Sequence, residues 1–341
     1  MPDTRSPSRF RRSERSPGND TMRVLVTGAD GFVARHAVSL LQTSRAEVVG
    51  SVLNQDDAKD ISVPLQRLDI TDAAACRAVL RAVEPTHVLH LAAQSNVSWS
   101  FAHSEETRRV NVEGTRNLLE ACAARVHPPV VVVVGSSEEY GPNDGRPLPE
   151  LPLVALRPLS PYAESKVEVE RLIEAEPRFR AFTVRTRSFP HFGPGQKPGF
   201  FTADVASQLA AIAAGDRPPV LRVGNLDVVR DYTDVRDVVR AYTLLLERGV
   251  LGEVYNVGSG HGVAIRELLD ELIRLAGVRV RVEQDPEKAR PTEIPALIGD
   301  SAKLRAATGW APIIPLSQTL QDILAWWRTP ERLVAERQAH S

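Results

Sequence analysis

The sequence predicts an α/β fold, in which a doubly wound parallel sheet is followed by a smaller second domain. Three observations predict this architecture. The chain has 341 residues, which exceeds the ~150 residues usually allotted to one domain. Apolar segments typical of strands alternate with helical patterns through the first half of the chain. A turn with two glycines joins the first strand to the first helix, as expected of a parallel sheet with helices on both faces.

The composition is that of a folded, soluble protein, with 43% hydrophobic and 25% charged residues. The 42 basic side chains balance 43 acidic ones to give a net charge of −1, which favours neither a nucleic-acid nor a membrane partner. The apolar run from Val130 to Val134 is far shorter than the ~20 residues that span a bilayer. Cys76 and Cys122 lack metal-ligand spacing, so we expect no metal site, no disulfide and a cytoplasmic location.

Four segments are predicted along the chain. Residues 1–21 are rich in Arg and Ser and contain almost nothing apolar, which is typical of a disordered tail, although a start at Met22 is the alternative. Residues 22–189 are expected to form the first α/β domain. Residues 190–330 mainly form the second domain, with some segments returning to the first, and residues 331–341 form another tail.

The segment that starts at Arg23 combines an apolar strand, a turn and a helix, with the sequence RVLVTGADGFVARHAVSLL. Gly28 allows the tight turn, Gly31 lets the backbone approach a pyrophosphate, and Ala34 is small enough for close helix–strand packing. The N-terminus of the helix then faces the phosphates with unpaired N–H groups. An ordinary tight turn is the alternative for the glycines alone. In their strand and helix context they predict a Rossmann-type dinucleotide site.

The second predicted strand, AEVVGSVL (46–53), ends about where an acidic residue would meet the adenosine ribose. Leu53 and Asn54 stand there instead. The missing carboxylate favours a cofactor with a 2′-phosphate, but no Arg stands at the tip either. Arg35, at the start of the first helix, is a candidate phosphate partner, and a solvated surface charge is the preferred interpretation of it. Both NADP and NAD remain open.

Later segments extend the same alternation. Strands are predicted in VPLQRLDI (63–70), THVLHLAA (86–93) and PVVVVVGSS (129–137), and a helix in NVEGTRNLLEACAA (111–124). Ligands of such sheets bind beyond the carboxyl ends of the strands, where the glycine turn, Asp69 and Ser136 all fall. In the second domain we expect a helix within 197–215 and a strand in GEVYNVGS (252–259).

Tyr162 and Lys166 are four residues apart near a predicted helix start, where Ser160 is a possible cap. That spacing places both side chains on one face of a helix. An ammonium beside a phenol lowers the phenol pKa from ~10 toward working pH, so that Tyr can exchange protons. Chance surface pairs share the spacing, but the hydroxyl of Ser136 at the end of a buried strand makes the set more specific. The three side chains predict proton transfer at a substrate oxygen.

These motifs resemble one family, the extended short-chain dehydrogenases/reductases that act on nucleotide sugars. The resemblance runs from Met22 to about Trp327 and rests on TGADGF (27–32), LDITD (68–72), HLAAQSNVSWS (90–100), NVEGTRNLLEA (111–121), GSSEEYG (135–141), PYAESK (161–166) and RDYTDVRDVV (230–239). Within that family, HFGPGQ (191–196) and VYNVGSG (254–260) look most like GDP-6-deoxy-4-keto-D-mannose reductases, with GDP-mannose 4,6-dehydratases as the nearest relatives.

The resemblance implies roles for the residues that match these motifs. It implies that Ser136, Tyr162 and Lys166 are catalytic. It implies that the cofactor is held by Gly28, Gly31, Phe32, Val33, Asp69, Ile70, Leu91, Ala92 and Ala93, together with Tyr162 and Lys166. It implies substrate contacts from Ser95, Asn225, Arg230, Arg290 and Glu293. The two arginines suit the diphosphate oxygens, and the carboxylate suits the ribose hydroxyls.

Two further expectations concern helices. The resemblance implies a homodimer that pairs helices from about Glu105 to Ala123 and from Tyr162 to Ala175, whose small and apolar residues exceed what contact with the sheet needs. Asp231, Asp234 and Asp237 lie in a family motif, and we interpret them as structural ion-pair and capping residues.

Two departures from the family pattern bear on the substrate. Pro190 stands where family members usually carry Asn, so that a side-chain amide and a backbone donor are both missing. Glu138 stands where dehydratases carry the base that removes a proton beside the keto carbon. We expect reduction of the 4-keto group of GDP-4-keto-6-deoxy-D-mannose with NAD(P)H. A GDP-mannose 4,6-dehydratase, or another nucleotide-sugar dehydratase or epimerase with tightly bound NAD(P), is the alternative, and a nucleotide sensor without catalysis is disfavoured by the intact catalytic set.

Overall fold

A computed structural model describes residues 21–58, 60–285 and 294–332 of the chain. The predicted tails therefore lie almost entirely outside the described residues, as do Arg290 and Glu293. The proposed division at residues 189 and 190 stays a prediction.

Fourteen strands and twelve α-helices alternate along the described residues. The strands are β1 (Arg23–Thr27), β2 (Glu47–Val52), β3 (Leu65–Arg67), β4 (His87–His90), β5 (Val130–Ser136), β6 (Thr183–Ser188), β7 (His191–Phe192), β8 (Val220–Val223), β9 (Val229–Asp231), β10 (Thr233–Asp234), β11 (Val254–Val257), β12 (Gly262–Ala264), β13 (Arg281–Gln284) and β14 (Ala296–Leu297). The helices are α1 (Phe32–Thr43), α2 (Ala73–Val83), α3 (Val97–Ala102), α4 (Ser104–Arg108), α5 (Gly114–Ala123), α6 (Pro161–Ala175), α7 (Pro177–Arg180), α8 (Phe201–Ala213), α9 (Val235–Arg248), α10 (Ile265–Ala276), α11 (Ala302–Thr308) and α12 (Leu316–Trp327).

The main sheet has seven strands in the order β3-β2-β1-β4-β5-β6-β11. Every pair in it is parallel, which confirms the predicted fold class. The strand order reverses direction between β1 and β4, and ligands of such sheets bind at this point. The predicted strand in 252–259 is present as β11, but it pairs with β6 at the edge of the main sheet and so extends the first sheet.

Alternating side chains along the strands supply two apolar cores, one on each face of the main sheet. On one face, Val24 and Val26 pack with apolar residues of α1, α9 and β11. On the other face, Leu25 packs with apolar residues of α2, α5, α6 and α7. Helix α9, from the later half of the chain, therefore covers the first sheet.

A third core lies among later elements, where α8, α10 and α12 pack around β8. Helix α8 is the helix predicted within 197–215. Three small sheets join this region to the first: β7 with β10, β8 with β13, and β9 between β12 and β14. Over the described ranges, no helix combines the length and the apolar character needed to cross a membrane.

The aspartates of the RDYTDVRDVV segment have structural partners, as predicted. Asp234 caps α9 by accepting a hydrogen bond from the backbone N–H of Arg236 at 2.7 Å. Asp237 lies in the first turn of α9, and its Oδ2 accepts from the backbone of Ile313 and Ile314, each at 2.9 Å. These contacts tie α9 to the loop that leads into α12.

Asp231 is fully buried and joins three segments of the chain. Its carboxylate accepts from the backbone N–H groups of Ser259 (2.8 Å), Gly260 (2.9 Å) and Gly299 (3.1 Å). The hydroxyl of Ser259 also donates to it. One side chain thus satisfies four donors, of which the Gly299 N–H is buried and the other three are partly buried.

We expect Asp231→Ala to lower the free energy of unfolding by about 2–4 kcal/mol, because it strands buried donors. Denaturant titration measures this change. Asp227→Ala is the matched control: its side chain is 74% exposed and pairs with an exposed arginine, so the loss there should stay below about 0.5 kcal/mol. Equal losses in the two variants would contradict the structural role of Asp231.

Candidate active site

A cavity of about 750 Å³ opens at the carboxyl ends of the main-sheet strands. Fifteen of the predicted site residues line it: Gly28, Gly31, Phe32, Val33, Asp69, Ile70, Leu91, Ala92, Ala93, Ser95, Ser136, Glu138, Tyr162, Lys166 and Arg230. They come from separate strand ends and from the start of α6, so the parallel topology is what brings them together.

The glycine turn lies between β1 and α1, as the dinucleotide hypothesis requires. Gly28 has a φ of +66°, and a Cβ on it would lie 2.9 Å from the Cα of Ala92. Any side chain there would be strained and would collide with the neighbouring strand end. The turn therefore gives the cavity a narrow floor that consists of backbone atoms alone.

The N-terminus of α1 opens into the same cavity. Gly31 is its N-cap residue and provides no capping side chain. A Cβ on Gly31 would approach the carbonyl oxygen of Gly28 to 3.1 Å. Backbone N–H groups at an uncapped helix start attract anions, so this surface fits the pyrophosphate of a dinucleotide.

The end of β2 offers an apolar surface to the cavity. Leu53 lines the cavity with 62% of its surface exposed. Asp69 also lines it, and its Oδ1 accepts from the backbone and hydroxyl of Thr71 at 2.9 and 2.8 Å. Arg35 instead pairs with Asp60 and donates to the carbonyl of Asp30, which supports its interpretation as a surface charge.

Ser136, Tyr162 and Lys166 converge beneath the opposite end of the cavity. The Ser136 side chain is near enough to the Tyr162 hydroxyl to favour its ionised form. The Lys166 ammonium lies 5.8 Å from the centre of the Tyr162 ring and donates to the carbonyl of Val134 at 2.9 Å. Ser160 caps α6 by accepting from the N–H of Ala163 at 3.1 Å, so the predicted cap fixes the helix that carries both side chains.

Burial alters the protonation of this set. It raises the pKa of Tyr162, and the Ser136 side chain lowers that pKa only in part. Burial also lowers the pKa of Lys166 to about 8. Burial is thus the largest influence on the phenol, and the expected effect of Lys166 on the Tyr162 pKa stays a prediction. Tyr162 holds its proton at neutral pH.

A π-helical turn over Arg109–Glu113 supports the site from behind. It contains Asn111, which is 1% exposed. Asn111 donates to the Gln94 carbonyl at 3.0 Å and to the Ser165 hydroxyl at 2.9 Å, and it accepts from the Gln94 N–H at 2.8 Å. These bonds join the strand-end loop after β4 to α6. Nothing in the sequence pattern predicted this π turn.

The buried His90 at the end of β4 also shapes the wall. Its two ring nitrogens bond the hydroxyls of Thr27 (2.8 Å) and Thr115 (2.9 Å). Burial lowers the pKa of His90 to about 3, so the ring is neutral and its role is to hold the wall.

The remaining predicted substrate residues differ in whether they lie at the cavity. Arg230 is buried at the cavity, and its Nη1 donates to the carbonyls of Val229 and Ile294 at 2.9 and 2.7 Å. Asn225 lies away from the cavity in the exposed loop between β8 and β9, where it accepts from the N–H of Asp227 at 2.9 Å. Arg290 and Glu293 fall outside the described residues.

Sequence reasoning missed part of the wall that the later half of the chain supplies: His191, Gln196, Lys197, Gly199, Phe200, Phe201, Thr202 and Tyr232. Pro190 lines the cavity too, and its carbonyl accepts from Thr233 at 3.0 Å. The sequence signal that could have found them is their nearness to two family motifs. They lie within or shortly after HFGPGQ, or within RDYTDVRDVV.

The fold and this site together define an extended short-chain dehydrogenase/reductase. A dinucleotide surface and a Ser–Tyr–Lys set share one cavity at the switch point of a parallel sheet. A family model described as GDP-mannose 4,6 dehydratase matches residues 25–323. The chain belongs to that family.

Two curated relatives show the range of the similarity. GDP-6-deoxy-D-mannose reductase of Pseudomonas aeruginosa is 35% identical over 313 residues, which cover 92% of this chain and 99% of the relative. GDP-mannose 4,6 dehydratase 2 of Caenorhabditis elegans is 28% identical over 75% of this chain and 72% of the relative.

Solved structures agree in fold. RMD from Pseudomonas aeruginosa, complexed with NADPH, has a TM-score of 0.79 at 34% identity and covers 90% of this chain and 99% of its own. UDP-glucose 4-epimerase from Thermus thermophilus, complexed with NAD, has a TM-score of 0.78 at 30% identity, with coverages of 91% and 100%.

The close approach at Gly28 yields a test of the dinucleotide surface. We expect Gly28→Ala to weaken NADPH binding by at least ~10-fold, because the new methyl forces the turn and Ala92 apart. Titration followed by NADPH fluorescence measures the dissociation constant. Gly215→Ala is the matched control, since Gly215 has a similar φ of +79° but open space around it. If both variants bind NADPH as the wild type does, this turn does not hold the cofactor.

Proposed function

We propose that this protein reduces the 4-keto group of GDP-4-keto-6-deoxy-D-mannose with NADPH or NADH. The observation that carries the proposal is that Ser136, Tyr162 and Lys166 line the same cavity as the glycine turn, with the Lys166 ammonium 5.8 Å from the Tyr162 ring. The sugar and nucleotide are proposed from the similarity to the Pseudomonas aeruginosa reductase.

Proton donation is the chemistry this set suits. Ser136 and Tyr162 can both direct hydroxyl hydrogens at a keto oxygen placed between them. The raised pKa of Tyr162 keeps its proton in place until the oxygen becomes basic. When bound, a reduced nicotinamide supplies the hydride to the keto carbon. Tyr162 then gives up its proton, and the charged Lys166 stabilises the phenolate that forms.

Two cationic side chains of the cavity suit the nucleotide part of the proposed substrate. Lys197 and Arg230 line the cavity on the side of α8 and β9. Arginine forks and lysine ammonium groups both bind diphosphate oxygens. Pro190 offers no side-chain amide in this wall, so recognition of the sugar falls to its neighbours.

Glu138 favours a second candidate, a GDP-mannose 4,6-dehydratase. Its side chain lines the cavity, and its backbone N–H donates to the Ser136 hydroxyl at 3.2 Å. A carboxylate in this position can remove a proton beside a keto carbon. The C. elegans relative carries a dehydratase name.

We also propose a homodimer and a cytoplasmic location. Cys76 and Cys122 are buried and free, as a reducing compartment allows. Many apolar residues of α5 and α6 pack inside the protomer. Arg108 of α4 pairs with Glu168 of α6 at 3.0 Å within the same protomer. The pairing of the two helices with their mates is proposed from the family resemblance.

The chemistry is tested by Tyr162→Phe, which removes one hydroxyl and keeps the ring. We expect the turnover number for keto-sugar reduction to fall by roughly 10²–10⁴-fold, while GDP and NADPH binding are retained. Cofactor absorbance and product mass measure the reaction. Wild-type turnover in this variant would refute the assignment.

Glu138→Gln separates the two candidate functions. A reductase needs no base at the neighbouring carbon, so reduction of the keto sugar should change by less than about threefold. A dehydratase should lose nearly all formation of keto sugar from GDP-mannose. Product mass after parallel incubations with the two substrates distinguishes these outcomes.

The dimer proposal predicts an interface that salt and charge reversal weaken. Arg116 and Arg171 are exposed on α5 and α6, and we expect Arg116→Glu with Arg171→Glu to yield monomers, because like charges would face each other. Light scattering at micromolar concentration measures the mass. Arg266→Glu, on the exposed face of α10, is the control. A wild-type protein that is monomeric at low salt would contradict the proposal.

A further inference from the structure

Glu139 follows the catalytic strand and is fully buried. Its Oε1 accepts from the backbone N–H of Ser136 at 2.7 Å. It lies in the single turn Ser137–Glu139, for which Ser136 is the cap. The side chain therefore holds the backbone of the serine whose hydroxyl meets Tyr162, although it does not line the cavity itself.

The second oxygen of Glu139 has no ordinary donor. Among the described residues, no N–H or O–H group is within hydrogen-bond distance of Oε2. The guanidinium of Arg187 lies 3.8 Å away. That guanidinium is already engaged, since its Nε and Nη2 donate to Glu170 at 2.8 and 2.9 Å and its Nη1 donates to the Leu151 carbonyl at 2.7 Å.

Glu170 of α6 shares the same guanidinium, since Arg187 Nε is 2.8 Å from Glu170 Oε1 and 3.8 Å from Glu139 Oε2. Two carboxyl groups hydrogen-bond only when one of them carries a proton. Glu170 has the arginine fork, with Arg185 3.9 Å from it. Burial and the charge of Glu170 raise the pKa of Glu139, against the smaller opposing effects of Arg187 and the Ser136 N–H. Because the arginine fork is held by Glu170, the buried carboxyl group of Glu139 favours its protonated form.

We propose that Glu139 is a positioning residue that stays protonated, donates its proton to Glu170, and fixes the Ser136 backbone without adding negative charge to the active site. The kinetic part of this inference rests on the proposed reductase function. Its spectroscopic part does not.

The charge state of Glu139 matters because other ionisable side chains lie around it. Tyr162 and Lys166 of α6 both respond to the charge of Glu139. Arg187 of β6 lies 3.8 Å from Glu139, and Arg185 of β6 lies 3.9 Å from Glu170. An anion at Glu139 would raise the pKa of Tyr162 further. Proton donation turns Tyr162 into an anion, so a second anion beneath Ser136 would oppose the step. A neutral carboxyl group provides the same acceptor oxygen without this repulsion.

Two substitutions separate the role of Glu139 as a hydrogen-bond acceptor from the effect of its charge. Glu139→Gln keeps an acceptor for Ser136 and gives an N–H donor to Glu170, so it imitates the protonated acid. We expect the turnover number to fall by no more than about threefold, with an unchanged pH profile. Glu139→Leu removes the acceptor, and we expect a roughly 10- to 100-fold lower turnover number with an unchanged KM for NADPH.

Infrared difference spectroscopy tests the proton directly. The wild type at neutral pH should show the carbonyl stretch of a buried protonated carboxyl group, with a shift in deuterated water, and Glu139→Gln should abolish it. Glu271→Gln is the control, because Arg274 lowers the pKa of that exposed carboxylate and its removal should leave the band intact.

Three outcomes would overturn the inference. They are a carboxyl band that Glu139→Gln leaves in place, a Gln variant as slow as the Leu variant, and an alkaline limb of the pH profile that moves in the Gln variant. A wild-type enzyme that reduces no GDP-linked keto sugar would contradict the proposed function, and the infrared result would then decide this inference.

Discussion

The contact between the glycine turn and the end of β4 determines where the site can form. Gly28 lies against the backbone of Ala92, and the Thr27 hydroxyl accepts from the N–H groups of Leu91 and Ala92, each at 3.1 Å. Adjacent parallel strands otherwise diverge as their helices leave toward opposite faces. This clamp holds the two strand ends together while α1 turns away, and the cavity is the space that remains.

A second constraint acts at the catalytic end of the cavity, where few charges lack a compensating partner. The Lys166 ammonium lies among strand ends and apolar walls. Beneath the site, Glu170 pairs with Arg187 of β6 and lies 3.9 Å from Arg185 of the same strand. In a poorly hydrated region each uncompensated charge shifts the protonation of its neighbours. The buried arginines of β6 therefore belong to the electrostatics of the site, although they contact no part of the cavity.

Local patterns in the sequence were sufficient for much of the fold. The Gly28 turn, the Ser160 cap and the four-residue spacing of Tyr162 and Lys166 depend only on neighbours in sequence, and the structure has each of them. The pairing of β11 with β6 joins residues about seventy positions apart, which periodicity cannot reveal. The direction in which the Tyr162 pKa shifts depends on burial, and burial depends on the completed fold, so local patterns do not reveal it.

The roles of Lys197 and Tyr232 in the wall show the same limit. Lys197 follows HFGPGQ and Tyr232 lies within RDYTDVRDVV, but neither motif shows which way the side chain points. Both residues line the cavity beside the paired strands β7 and β10. A charged or aromatic side chain on a loop becomes part of a site only when tertiary contacts aim it there. Arg35 illustrates the converse, since a basic residue near the expected phosphate position is taken up by Asp60.

The placement of α9 and β11 on the first sheet has a consequence for synthesis of the chain. Until residues 235–257 have left the ribosome, β6 has no outer neighbour and one face of the central strands has only α1 to cover it. Exposed strand edges and apolar faces invite association with other chains. The nascent first half therefore depends on its own later sequence to complete the sheet and to cover this apolar face.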